Sequence, residues 1–144
     1  MAPTVKFQRM YPSVRMPRYM TPGAAGMDVC ALEGGELPPG ESAAFRTGLM
    51  AEVPPGWEIQ VRPRSGLAAR HGITVLNSPG TVDADFRGEI GVLLINTSED
   101  HYDVKAGERI AQLVVAPAPQ AEVVEVGEVG ATERGGGGFG STGK

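Results

Sequence analysis

Hydrophobic positions along the chain repeat every second residue far more often than every third or fourth. Trp57-Glu-Ile-Gln-Val-Arg62 is the clearest case: Trp57, Ile59 and Val61 fall on one face, Glu58, Gln60 and Arg62 on the other. This predicts a half-buried strand with Arg62 turned away from the core. Similar alternation or short apolar runs predict strands over Val5 to Met10, Glu41 to Thr47, Leu49 to Val53, Ile73 to Leu76, Ile90 to Asn96, Tyr102 to Lys105, Ile110 to Ala116 and Glu122 to Val126. Only Ser65-Gly-Leu-Ala-Ala-Arg70 reads as a helix, a short one with Ser65 as its cap and Gly72 closing it.

Punctuation supports the same reading. The 12 prolines and 21 glycines leave almost no window of helical length, and turn signals at strand spacing mark an all-β chain. A length of 144 residues suits one domain with a core of its own. Apolar periodicity stops after Val126, so residues 1–126 are expected to form the folded body and the glycine-rich 127–144 a flexible C-terminal arm.

Charge narrows the partners. A formal net charge of −4 argues against general nucleic-acid binding, which needs a basic face, so an anionic ligand must be held locally. Arg62, Arg64, Arg70, Arg87, Arg109 and Arg134 are the cations that could converge on it, although most exposed arginines are simply solvated. The single cysteine, Cys30, excludes an internal disulfide and reads as a small buried hydrophobe. No stretch has signal-peptide character or spans a membrane, so the expectation is a soluble, cytoplasmic protein.

Several constellations carry chemistry. Arg62-Pro-Arg-Ser-Gly66 brings two arginines and a hydroxyl to the opening of the short helix, where free N–H groups favour an anion; an ordinary strand-to-helix turn with a serine cap is the competing reading. In Asn77 through Glu89, the turn formers Ser78, Pro79 and Gly80 separate two apolar strands in a hairpin or wide β-arch. Asn77 there has the donor and acceptor needed to read an imide edge, and bare backbone at Gly80 admits a ring. Asp83 and Asp85 are expected to alternate in a strand, one serving as a base and the other partnering Arg87. Asp28 follows a glycine-rich turn, and Gln112 interrupts an apolar strand.

The tail Arg134-Gly-Gly-Gly-Gly-Phe-Gly-Ser-Thr-Gly-Lys144 mixes a cation, a ring and two hydroxyls among glycines, which fits either an idle terminus or a clamp on a phosphorylated, ring-bearing ligand. Its G-x-x-x-x-G-K run lacks the preceding strand and following helix of a P-loop. His71 and His101 are read as having no carboxylate or cysteine at ligand spacing, so any base should be an aspartate and any metal a hard ion such as Mg²⁺.

Taken in order, five segments resemble the five motifs of the trimeric dUTP pyrophosphatases (dUTPases): Ala25 through Ala31, Arg62 through Ala68, Asn77 through Glu89, Gly107 through Leu113 and Arg134 through Gly143. The resemblance implies a jelly-roll-like β-sandwich and a homotrimer whose three sites are each built from all three chains. It implies Mg²⁺-dependent hydrolysis of dUTP to dUMP and pyrophosphate, an activity that keeps uracil out of DNA and supplies dUMP for thymidylate synthesis. Asp83 would be the general base toward the water that attacks the α-phosphorus. Arg64, Ser65, Gly66 and Gln112 would hold the phosphates, with Arg134, Ser141 and Thr142 clamping the γ-phosphate. Asn77, Ser78, Gly80, Thr81, Val82, Asp83, Phe86 and Phe139 would bind uracil and deoxyribose. Asp28 and Gln112 would meet the metal through water only, the phosphates holding most of its shell. Nucleic acid and membranes are not expected partners.

One residue departs from the family pattern, which usually carries tyrosine where Phe86 stands. The ring should still exclude a 2′-hydroxyl, without the phenol's hydrogen bond. A likeness to dCTP deaminases is weaker, because those carry a catalytic glutamate shortly after the corresponding aspartate, where this chain has Phe86-Arg87-Gly88.

Overall fold

The computed structural model describes residues 1–143. Lys144, which completes the G-x-x-x-x-G-K run, lies outside the described residues. In chain order the elements are β1 (Lys6–Arg9), β2 (Met27–Cys30), β3 (Gly35–Leu37), β4 (Ser42–Glu52), β5 (Trp57–Arg62), α1 (Ser65–His71), β6 (Ile73–Val75), β7 (Gly80–Val82), β8 (Glu89–Asn96), β9 (Tyr102–Val104) and β10 (Arg109–Pro117). One sheet runs β1-β4-β8-β6, a second runs β2-β10-β5-β7, and β3 and β9 form a separate ribbon. The pairings are antiparallel. The all-β expectation therefore holds, as a sandwich with one short helix.

The alternation read from the sequence decides what the sheets bury. Phe45, Leu49, Ile73, Ile90, Val92 and Leu94 of the first sheet are buried, as are Val29, Ile59, Val61, Val82, Ala111 and Leu113 of the second. Two buried polar side chains are satisfied. Thr47 Oγ1 donates to the Ile90 carbonyl at 2.6 Å, and Asn96 Nδ2 donates to the carbonyls of Leu37 at 2.8 Å and Asp100 at 2.7 Å. Asn96 thus pins the β3–β9 ribbon to the sandwich, at a site where an unpaired amide would be costly.

Some expectations need correction. Glu41 to Thr47 and Leu49 to Val53 are one continuous strand, bent where its register against β8 shifts between Arg46 and Met50. Gly48 at the bend has φ 71°, and a Cβ there would meet Val14 Cγ2 at 2.5 Å, so glycine makes a bulge of what looked like a break. Short strands β2, β3 and β7 were not anticipated. Glu122 to Val126 forms no strand: residues 121–136 are exposed, and the segment pairs with no strand among the described residues.

Ser65 is not the helix cap. Arg64 is, in an extended conformation, and its carbonyl accepts the Ala68 N–H at 3.1 Å. Ser65 is the first helical residue, so no side chain caps the leading N–H groups and no acidic residue sits in the first turn. Gly72 closes the helix in the left-handed conformation, φ 65°, as expected. Among the described residues, no helix is long and apolar enough to cross a membrane.

Candidate active site

The segment from β6 to β7 passes from the first sheet to the second, which makes it a β-arch. It turns at Asn77 and Ser78, with a cis peptide bond between Ser78 and Pro79. Gly80 and Val82 then face inward, opposite Val61 and Ile59, while Thr81 lies opposite Gln60 on the outer face. A cavity of about 170 Å³ opens here, walled by Val61, Asn77, Gly80, Thr81, Val82, Phe86, Glu89, Ile90 and Gly91. The wall is tight at Gly80, where a Cβ would stand 3.1 Å from Val61 Cβ and 3.4 Å from Asn77 Nδ2.

Beyond Val82 the chain turns, the Phe86 N–H donating to the Asp83 carbonyl at 3.1 Å. Asp83 and Asp85 accordingly stand at a turn, both exposed, and not in a strand as expected, because β7 ends at Val82. Nor does Asp85 partner Arg87, whose Nη1 donates instead to the carbonyls of Ala84 at 2.7 Å and Phe86 at 3.2 Å. The Phe86 ring lies against Gly88, where a Cβ would meet Cζ at 2.6 Å. Asp83 therefore follows directly on the cavity wall with its side chain in solvent.

A second cluster forms on the outer face of β2, β10 and β5. Asp28, Gln112 and Arg62 are cross-strand partners in one row, so their side chains share a face. Gly26 makes room for this row: a Cβ there would meet Gln112 Oε1 at 2.8 Å. Asp28 is held between two guanidinium groups, Arg109 Nη1 at 3.3 Å and Arg64 Nε at 3.4 Å. Arg64 Nη1 also donates to the Arg109 carbonyl at 3.3 Å, while its buried Nε lacks a properly aligned acceptor among the described residues. Arg62 turns aside to Gln60 Oε1, with Nη2 at 2.6 Å. Of the arginines expected to converge, only Arg64 and Arg109 meet.

Ser65 is exposed beside this cluster, and Gly66 borders open space, its Cβ position meeting only Arg70 Nη1 at 3.9 Å. Nothing within the chain demands glycine at position 66. The arm residues stand apart from both clusters. Arg134 Nε donates to the Gly137 carbonyl at 2.7 Å, the Ser141 N–H donates to the Gly138 carbonyl, and Phe139 is fully exposed at φ 51°. Neither Arg134, Phe139, Ser141 nor Thr142 lines the cavity.

Three features escaped the sequence reading. Glu89 walls the cavity while gripping Arg46 at 3.1 Å and accepting the Gly48 N–H at 2.8 Å, a tie between strands that no local pattern signals. Cys30 is only half-buried, and its partial burial pushes the thiol up against the opposing influence of Arg15 and Arg109. His101 does have a carboxylate at hand, its Nε2 standing 2.9 Å from Asp103 Oδ1. The His-x-Asp spacing, which puts both side chains on one face of an extended segment, was the available signal.

The dUTPase family model matches residues 13–143. The deoxyuridine 5'-triphosphate nucleotidohydrolase of Nautilia profundicola is 54% identical over 140 residues, covering 97% of this chain and 99% of the relative. That of Anaeromyxobacter sp. strain Fw109-5 is 51% identical over 144 residues, covering 98% of each. Among solved structures, a variant of the Staphylococcus bacteriophage 80alpha dUTPase with dUpNHpp matches with a TM-score of 0.91 at 27% identity, over 98% of this chain and 99% of that one. With a family match across nearly its whole length and relatives identical at half their positions, the chain belongs to the dUTPase family.

Proposed function

We propose that the chain hydrolyses dUTP to dUMP and pyrophosphate. The observation that carries this reading is the cavity in which Asn77, Gly80, Thr81, Val82 and Phe86 come together, with Asp83 next in the chain. The Asn77 amide and the backbone around Ser78 and Gly80 read the polar edge of uracil, and the Phe86 ring packs on deoxyribose. At about 170 Å³ the space falls short of the about 300–1,000 Å³ of a complete small-ligand pocket. The triphosphate must therefore lie outside it.

The phosphates fit the second cluster. The uncapped front of α1 offers the N–H groups and hydroxyl around Ser65 and Gly66, and Arg64 offers a guanidinium whose Nε has no aligned acceptor. Asp28 and Gln112 present hard oxygen acceptors side by side. Two arginines already neutralise Asp28, which suits it to accept hydrogen bonds from metal-bound water rather than to bind an ion directly. Mg²⁺, when bound with the substrate, supplies charge neutralisation and alignment of the triphosphate.

In the chemical step, Asp83 accepts a proton from water as the water oxygen bonds to the α-phosphorus. The bond from that phosphorus to the bridging oxygen breaks, and pyrophosphate departs. A general base of this kind contributes about 10²- to 10⁴-fold, and positioning supplies much of the rest.

The two clusters share no lining residue, and among the described residues the hydrogen bonds of 132–143 stay within the C-terminal segment. Both features support a homotrimer in which each site combines segments of three chains, Arg134, Ser141 and Thr142 closing on the γ-phosphate and Phe139 on uracil. The lone half-buried thiol suits the cytoplasm. Pyrophosphate release from dUTP, UTP, dCTP and dTTP with Mg²⁺ tests the proposal. Turnover should be confined essentially to dUTP; absence of dUTP turnover would overturn it, and ammonia release from dCTP would point to deamination.

A further inference from the structure

The β3–β9 ribbon carries a second group of ligating side chains, outside the site described above. Leu37 and Val104 are on its buried side, and Glu36 and Asp103 are directly opposite each other on its exposed side. His101, two residues before Asp103, shares that side. One ligating atom from each of Glu36, His101 and Asp103 lies within 4.8 Å of the other two.

Like charges directly opposite each other in an antiparallel pair are destabilising. Lys105 offsets this only weakly, its Nζ 4.0 Å from Asp103 Oδ2 on a side chain 74% exposed. A divalent cation between the carboxylates would remove the repulsion, and two carboxylates with a neutral imidazole balance its charge. We infer that Glu36, His101 and Asp103 form a binding site for Zn²⁺ on the exposed side of the ribbon.

The donor set chooses the ion. Mg²⁺ favours oxygen alone in near-ideal octahedral geometry, whereas an imidazole with carboxylates suits Zn²⁺. A tetrahedral ion with bonds of about 2.0–2.2 Å separates its ligand atoms by roughly 3.4 Å, a spacing that exposed side chains reach by rotamer adjustment. His101 Nε2, which now contacts Asp103 Oδ1 at 2.9 Å, gives its lone pair to the metal while Nδ1 keeps the proton. Water fills the remaining coordination position. Because the ribbon is joined by three residue pairs and inserts Leu37 and Val104 into the core, cross-linking its strands stabilises the fold.

The test uses the 144-residue, tag-free, chelator-treated chain without nucleotide near neutral pH. Titration with ZnCl2 followed by calorimetry should give a single equivalent bound per chain and a higher thermal midpoint, and MgCl2 should give neither. H101A, E36Q and D103N should each weaken binding by more than the about 10- to 100-fold that loss of a supporting contact costs. Cys30→Ser and His71→Ala should leave binding intact. Circular dichroism of the three exposed-site variants without metal should match the parent, so that lost binding reports lost ligands. Absence of saturable Zn²⁺ binding, full binding by H101A, or binding abolished by Cys30→Ser or His71→Ala would overturn the inference.

Discussion

Gly80 faces Val61 across the β5–β7 ladder, so that a Cβ on Gly80 would stand 3.1 Å from Val61 Cβ. Val61 cannot easily give way, because β5 is itself held between β10 and β7. The nearest yielding group is the Asn77 amide, at 3.4 Å from the same point. Gly80→Ala should therefore cost stability of about 1–3 kcal/mol through overpacking. It should also displace Asn77, raising KM for dUTP more than it lowers kcat. Steady-state kinetics and denaturant unfolding check both parts.

Phe86 and Gly88 make a contact that separates substrate choice from stability. The ring is exposed at its far side and can swing, so Gly88→Ala should stay within about 0.5 kcal/mol of the parent. On the proposed reading that the ring packs on deoxyribose, swinging away makes room for a 2′-hydroxyl, and the ratio of UTP to dUTP turnover should rise in Gly88→Ala. Phe86→Tyr should leave that ratio close to the parent's, since the ring and its seat are kept. A UTP rate unaffected by Gly88→Ala would remove Phe86 from sugar discrimination.

Asp83 is exposed at a turn, and its side chain makes no hydrogen bond among the described residues, so replacing it should not disturb the fold. Asp83→Asn should lower kcat by about 10²- to 10⁴-fold with KM little changed, as loss of a group acting only in the transition state requires. A parallel thermal unfolding measurement should return the parent midpoint.

The reach of the sequence is clearest where alternation and burial coincide. β5 was legible residue by residue, because alternation is a local signal; between Asn77 and Glu89 the turn formers were legible too, but a hairpin stayed open beside the β-arch and the strand expected through Asp83 and Asp85 ends at Val82. β2 was hidden by its brevity and by the glycines before it, although Met27 and Val29 do alternate with Asp28 and Cys30. The bulge at Gly48 was misread because a left-handed glycine looks the same in sequence whether it ends a strand or bends it. Glu122 to Val126 shows the opposite failure: its alternation is clear, but a strand also needs an edge to pair with, which alternation alone does not supply. In the site, Asn77, Gly80, Thr81, Val82 and Phe86 share one cavity because they lie close in sequence, whereas Ser78, Asp83 and Phe139 do not line it. The grip of Arg64 and Arg109 on Asp28 joins residues distant along the chain, and charge pairing across such distances has no periodicity to read.

Tyr102 sets an alkaline limit on the fold. Burial, then the hydrogen bond its hydroxyl donates to Glu108 Oε2 at 2.7 Å, push its pKa up from 10.0 to about 12. The folded chain holds this proton more tightly than the unfolded chain, so the associated stability is complete below pH 10 and declines as pH rises toward 12. Tyr102→Phe should lose the hydrogen bond at neutral pH and show a shallower fall in unfolding free energy across that alkaline window. Urea unfolding of both proteins through the window measures the difference in slope.

The arm offers the most direct test of shared sites. Arg134 is occupied with the Gly137 carbonyl, and the hydrogen bonds of residues 132–143 stay among themselves. Removing residues 127–144 should therefore leave the unfolding transition of the sandwich nearly unchanged while dUTP turnover is lost. If the arm closes over another chain's cavity, trimers of this truncated protein and trimers of Asp83→Asn fail for different reasons. A truncated chain retains Asp83 but has no arm to contribute, and an Asp83→Asn chain has an arm but no base. After subunit exchange, some mixed trimers unite an intact Asp83 from one chain with an intact arm from another, and turnover should return in proportion to their abundance. A mixture that stays inactive after exchange, verified by native mass spectrometry, would mean that each arm serves only the base of its own chain.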